Sequence, residues 1–65
     1  MTDLCPREID VLRLIAEGYD NRRIAETLHI SIHTVKGYRI TAKQKMGALN
    51  CYHLVTLGFR SGVLA

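Results

Sequence analysis

The stretch "DNRRIAETLHISIHTVKGYRITAKQKMG", Asp20 to Gly47, decides how this chain folds. Asp20 is a good N-cap, since its carboxylate can accept from first-turn amides, and Ile24, Ala25 and Leu28 then face inward along a short helix. "HIS" makes a tight break. Ser31 can cap a longer helix over about Ile32 to Met46, with Gly47 as its C-cap. At about 100° per residue, Val35, Tyr38, Ala42 and Met46 form one stripe, while His33, Lys36, Gly37, Ile40 and Gln44 lie broadly opposite. Arg39 and Lys43 flank the two faces. A short helix, a three-residue break and a longer capped helix with a basic outer face is helix-turn-helix geometry.

Outward from that unit, Pro6 stands where a preceding helix would begin, a position at which proline loses no intrahelical bond. Ile9, Leu12, Ile15 and Ala16 recur at helical spacing, Val11 and Leu14 widen the stripe, and Gly18 ends it. On the other side a fourth helix runs from about Asn50, a candidate N-cap, to about Phe59. Leu54, Val55, Leu57 and Phe59 make it apolar over much of its circumference, and Gly58 leaves a flat spot. One apolar face would pack on the first helix. A second exceeds what so small a monomer needs and suggests a partner, although both faces could be core. The expected architecture is all-α, a compact four-helix domain spanning residues 1–65.

Charge is distributed unevenly. Residues 1–17 hold Asp3, Glu8, Asp10 and Glu17 against Arg7 and Arg13, a balance of −2; residues 18–65 balance at +5, and no acid follows Glu26. A basic half is the electrostatic footprint of a polyanion binder, though a solvated surface would carry such charge too. Gly37 on the exposed face costs up to about 1 kcal/mol against alanine, which asks for a reason such as close approach of another molecule; simple tolerance is the alternative.

A chain of 65 residues has no room for a deep substrate cleft beside a core, and it shows no nucleophile–base pair, phosphate loop or paired carboxylates. No enzyme activity is expected. Cys5 and Cys51 lack CxxC spacing, so half-buried free thiols are expected, with a single disulfide left open. His29, His33 and His53 make no metal-ligand pattern with them, and neither metal nor cofactor is expected. No apolar run reaches transmembrane length, and "MTDLCPREID" is too acidic for a signal peptide, which points to the cytoplasm and away from the membrane.

"LCPREIDVLRLIAEGYDNRRIAETLHISIHTVKGY" resembles the LuxR-type (GerE-like, FixJ/NarL-like) helix-turn-helix domain of bacterial transcription regulators. The matching pieces are Pro6-Arg7-Glu8, "VLRLIAEG", "NRRIAETL", "IS", "TVK" and "KMG", in the family's order and spacing across residues 4–47, with a looser match to about Arg60. The resemblance implies a domain that lays its third helix in the major groove of double-stranded DNA and dimerises weakly through its fourth. By position its base-facing sites fall on Lys36, Gly37 and Ile40, the residues the helical wheel turns outward, and His33 is an addition near the helix start. Its phosphate-contact positions fall on Asn21, Arg22, Ser31, Thr34 and Lys45, with Arg23 nearby; Arg39 and Lys43 add charge suited to the DNA backbone. Leu54, Val55, Leu57 and Gly58 are the expected dimer interface. RNA polymerase or a larger regulator are further candidate partners.

Departures from the family pattern bear on these expectations. Cys5 replaces the usual Thr or Ser, which would leave the first helix less well capped. Tyr38 stands for a familiar histidine, Arg39 for an aliphatic residue, and Lys43 for a commonly apolar one. Cys51-Tyr52-His53 replaces the usual Arg-Thr/Ser-Glu opening of the fourth helix, which touches the dimer contacts more than the DNA contacts. The rival reading is an interaction module that pairs with a larger regulator through its fourth helix and blocks it.

Overall fold

A computed structural model describes residues 4–62 and Leu64. Four helices follow one another: α1 (Pro6–Ala16), α2 (Asn21–Leu28), α3 (Ile32–Met46) and α4 (Cys51–Ser61), and no strand occurs among the described residues. None of these helices is long and apolar enough to cross a membrane.

Local chemistry sets each boundary. Pro6 opens α1, and the Glu8 carboxylate reaches back to accept from the Cys5 backbone N–H at 2.9 Å, so this half of a capping box survives without a hydroxyl at Cys5. Gly18 closes the helix at φ 93°, in the left-handed region that its missing Cβ permits. Asp20 caps α2 by accepting from the Arg23 N–H at 2.8 Å, and Ser31 caps α3 by accepting from the Thr34 N–H at 3.0 Å. Asn50 caps α4 by accepting from the His53 N–H at 2.9 Å, while His53 Nδ1 accepts from the Leu49 N–H at 3.0 Å. The break after α2 holds a surprise: His29 adopts the left-handed conformation (φ 58°) that glycine usually fills, and Ile30 donates back to the Ala25 carbonyl at 3.0 Å.

Two clusters make up the core. Val11, Ile24, Ala25 and Val35 bind α1 to the α2–α3 pair; Leu4, Leu12, Ala42, Leu54 and Leu64 bind it to α4 and the other side of α3. Adjacent residues of α1, Val11 and Leu12, thus serve opposite clusters. Ala16, expected inward, is exposed, because the apolar stripe of α1 centres on these two residues.

α4 extends to Ser61, two residues beyond the expected end, and Gly62 caps it at φ 83°. The chain then folds back so that Leu64 N–H donates to the Gly58 carbonyl at 3.0 Å. A Cβ on Gly58 would lie 3.0 Å from Leu64 Cδ1 and 3.1 Å from Leu12 Cδ2. Gly58 therefore makes room inside the domain, and Leu54 is fully buried. Both were expected in a dimer interface; the monomer's own packing covers them.

Candidate nucleic-acid interface

α3 is pinned along its inner stripe and bare along its outer one. Val35 and Ala42 are buried, Tyr38 and Met46 half-buried, while His33, Lys36, Gly37, Ile40 and Gln44 are all exposed. Ile40 keeps 53 % of its surface in water, and Ile32 keeps 42 %. Ile32, Lys36 and Ile40 follow one another at i, i+4 and i+8, so a cation stands between two exposed apolar side chains. The sequence marks Ile32 only as the first helical residue; its i, i+4 spacing from Lys36 is the signal that places it on this face. Gly37 faces open space, since a Cβ built there meets nothing within 4 Å.

The residues expected to hold the DNA backbone divide into two groups. Asn21, Arg22, Arg23, Ser31 and Thr34 gather at the N-termini of α2 and α3, where unpaired amides and the helix dipole favour an anion. Arg22 pairs loosely with Glu26 at 3.4 Å with both side chains largely exposed, so the pair is easily exchanged for another anion. Arg23 folds its guanidinium over the Tyr19 ring, 4.7 Å from the centroid, and the Ser31 and Thr34 hydroxyls lie 2.8 Å apart.

Arg39, Lys43 and Lys45 point elsewhere. The Arg39 guanidinium donates to Asn21 Oδ1 and to Cys51 Sγ, tying α3 to the starts of α2 and α4. Lys43 lines a groove between α1, the α1–α2 turn and α4. Lys45 Nζ donates to Glu8 Oε1 at 2.8 Å, holding a carboxylate that is 2 % exposed. Arg39 and Lys45 are drawn into the domain's own contacts and Lys43 is half-buried in the groove, which the basic look of α3 in sequence did not disclose. Glu8 is the missed partner: nothing in the "PRE" opening pairs it with Lys45, and only the fold brings the two together. Burial alone would raise its pKa, but the hydrogen bonds from Lys45 and Cys5 outweigh that and hold it below the ordinary value.

On α4 the outer face is not the one expected. Tyr52 is 87 % exposed and Phe59 is exposed too; with half-buried Val55 they lie along one arc. Leu57 is half-buried on the other flank of the Leu54–Gly58 line. Cys5 and Cys51 are both free thiols.

Known proteins place this arrangement. The family model "Bacterial regulatory proteins, luxR family" matches residues 2–57. The chain is similar to the oxygen regulatory protein NreC of Staphylococcus aureus, 36 % identical over 61 residues that make up 94 % of this chain and 28 % of NreC. It thus spans little more than a quarter of that relative's length. Among solved structures it is similar to the Vibrio cholerae VqmA dimer, described as a LuxR-type receptor, with a TM-score of 0.90 and 36 % identity over 97 % of this chain and 28 % of VqmA. A VqmA complex with ligand and DNA superposes with a TM-score of 0.87 at 38 % identity, covering 94 % of this chain and 27 % of that one.

Proposed function

The chain belongs to the luxR family of bacterial regulatory proteins, a family of regulators rather than enzymes, and on that premise we propose that it is a sequence-specific DNA-binding transcription regulator or the effector domain of one. The observation that carries the proposal is the outer face of α3, where four of the five opposed residues keep side chains in solvent and the fifth, Gly37, keeps a gap. A helix held on one side and bare on the other fits a major groove about as wide as itself. Lys36 donates to guanine O6/N7 in this reading, Ile40 packs on a thymine methyl, and His33 reaches a neighbouring base edge. Asn21, Arg22, Arg23, Ser31 and Thr34 grip phosphates and fix the register without reading sequence. Arg39, Lys43 and Lys45 contribute long-range attraction from the positions where the fold holds them.

Two chains would pair weakly through α4, on the Tyr52–Val55–Phe59 arc rather than on Leu54 and Gly58, with Leu57 left on the opposite flank. An interface of one helix per subunit is small, so two half-sites on one duplex would strengthen it. Operator binding places the protein in the cytoplasm. Selecting sites from random duplex DNA, followed by anisotropy titrations across a salt series, tests the proposal. A selected sequence bound with a steep counterion-release slope is expected; a flat slope with no enriched sequence overturns it and favours a module that only pairs with another regulator.

A further inference from the structure

We infer that the groove between α1, α3 and α4 is a docking site for an acidic segment of another protein, one that sets a large apolar side chain beside carboxylates. The groove measures about 980 Å³, is open to solvent, and takes from α3 only Arg39 and Lys43, none of the five outer residues. Ile15 from the end of α1, Tyr19 from the turn, and Tyr52 and Val55 from α4 wall it. Arg39 and Lys43 project into it from α3.

Neither cation meets a carboxylate. Arg39 is bonded to a neutral amide and a thiol, and half-buried Lys43 has no partner among the described residues. Asp20, the one acid on the lining, already accepts the α2 cap bond from Arg23. Two cations set among apolar walls with so little compensation favour an anionic occupant that also buries apolar surface. Phosphate satisfies the first demand and leaves the walls bare.

A second copy of this chain is a poor occupant. No acid follows Glu26, so α4 and everything after it offers no carboxylate to Arg39 and Lys43. Of the earlier acids among the described residues, Glu8, Asp10 and Glu26 are each paired with a cation in their own chain and Asp20 serves as a cap, which leaves exposed Glu17 as the one carboxylate a second copy could bring without giving up a contact. One carboxylate does not match two cations, so an acidic segment of another protein is the fuller complement. Tyr52 and Val55 belong both to this groove and to the outer arc of α4, so a docked segment and self-association through α4 exclude one another. Docking asks nothing of His33, Lys36, Gly37 or Ile40, so it can fail while base reading stands, although Asn21, Arg39 and Lys43 on the lining are shared with the proposed attraction to the DNA backbone.

The test is an amide-resolved NMR titration of the unaltered 65-residue chain with a panel of short peptides that vary the spacing of Phe and Leu relative to Asp and Glu. Each peptide is matched by a counterpart carrying Asn and Gln for the acids. At least one acidic peptide is expected to move the Ile15, Tyr19 and Val55 resonances, with its counterpart binding tenfold or more weakly. Lys43→Gln, checked for helicity by circular dichroism, is expected to remove most of that difference, and Tyr52→Ala to weaken both members of the pair. Three results overturn the inference: no acidic peptide outperforms its counterpart; duplex DNA moves these same resonances while the peptides do not; or they move with protein concentration alone.

Discussion

Lys45, in the last turn of α3, crosses to Glu8 at the start of α1 and meets a carboxylate buried to 2 % exposure at 2.8 Å. The two residues are 37 positions apart in sequence, and their bond joins the helix that carries the outer stripe to the helix that bridges both core clusters. Lys45→Met should leave that carboxylate buried without its cation, at a cost of about 1–3 kcal/mol. Glu8→Gln should cost less, since the amide can still accept from Cys5. Urea unfolding followed by circular dichroism measures both. A neutral Lys45→Met would mean that Lys45 is not needed by Glu8 and is available to phosphate.

The same pair predicts how stability depends on acidity. The folded-state pKa of Glu8 lies below its ordinary value of 4.5, so its contribution is complete above that value and is lost as the pH falls through the lower, folded one. The thermal midpoint should therefore hold from neutrality to about 4.5 and then drop. In Glu8→Gln the acid limb should be shallower. Identical limbs in the two proteins would remove Glu8 from the account.

Gly37→Ala should separate folding from binding. A methyl there meets nothing in the isolated domain, and alanine restores about 0.5–1 kcal/mol of helix propensity, so the melting temperature should rise. Affinity for the selected operator should fall if DNA approaches the backbone at this point. A variant that is more stable and binds as well as before would leave Gly37 as tolerated rather than required.

Lys36→Ala should weaken binding to the selected operator by about 1–3 kcal/mol and relax its preference for one base pair, with helicity unchanged. Arg22→Ala should weaken every duplex alike and lower the salt slope by about one unit. Anisotropy titrations with matched and single-mismatch duplexes distinguish the two patterns. Reversed outcomes would exchange the roles of these residues.

Tyr52→Ala should leave the domain folded and reduce cooperative binding to a duplex with two half-sites, because its ring stands 87 % exposed on the outer arc of α4. Leu54→Ala, two residues on, should instead cost about 2–5 kcal/mol of stability. Sedimentation together with thermal melts reads both. Undiminished cooperativity in Tyr52→Ala would move the seam off this arc.

What the sequence disclosed was local. Asp20, Ser31 and Asn50 announce their caps through side-chain chemistry a few residues long, and the α3 wheel separates Val35 and Ala42 from Lys36 and Ile40 by periodicity alone. What it withheld depends on segments distant in the chain. Nothing near Gly58 says that Leu64 will fold back onto it, so its missing side chain read as room for a partner. Nothing near Lys43, Lys45 or Arg39 tells which cations of a basic helix will be claimed by Glu8, Asn21 and Cys51 and which will reach solvent. His29 escaped for another reason: histidine visits the left-handed region too seldom for sequence to anticipate it.

Arg39 grips Asn21 with one arm of its guanidinium and Cys51 with the other, so the first residues of α2 and of α4 are fastened through a single side chain. One of those ends lies among the proposed phosphate contacts, and the other begins the proposed subunit seam. In a dimer made on α4, each subunit's hold on the DNA would then sit at a fixed offset from the symmetry axis. The protein would act as a ruler, accepting half-sites only at the separation, close to a whole turn of about 10–10.5 base pairs or its multiples, that this offset dictates. Loosening the tie, as Arg39→Lys would by giving up the two-armed grip, should broaden the range of spacings tolerated before it lowers affinity for the best one.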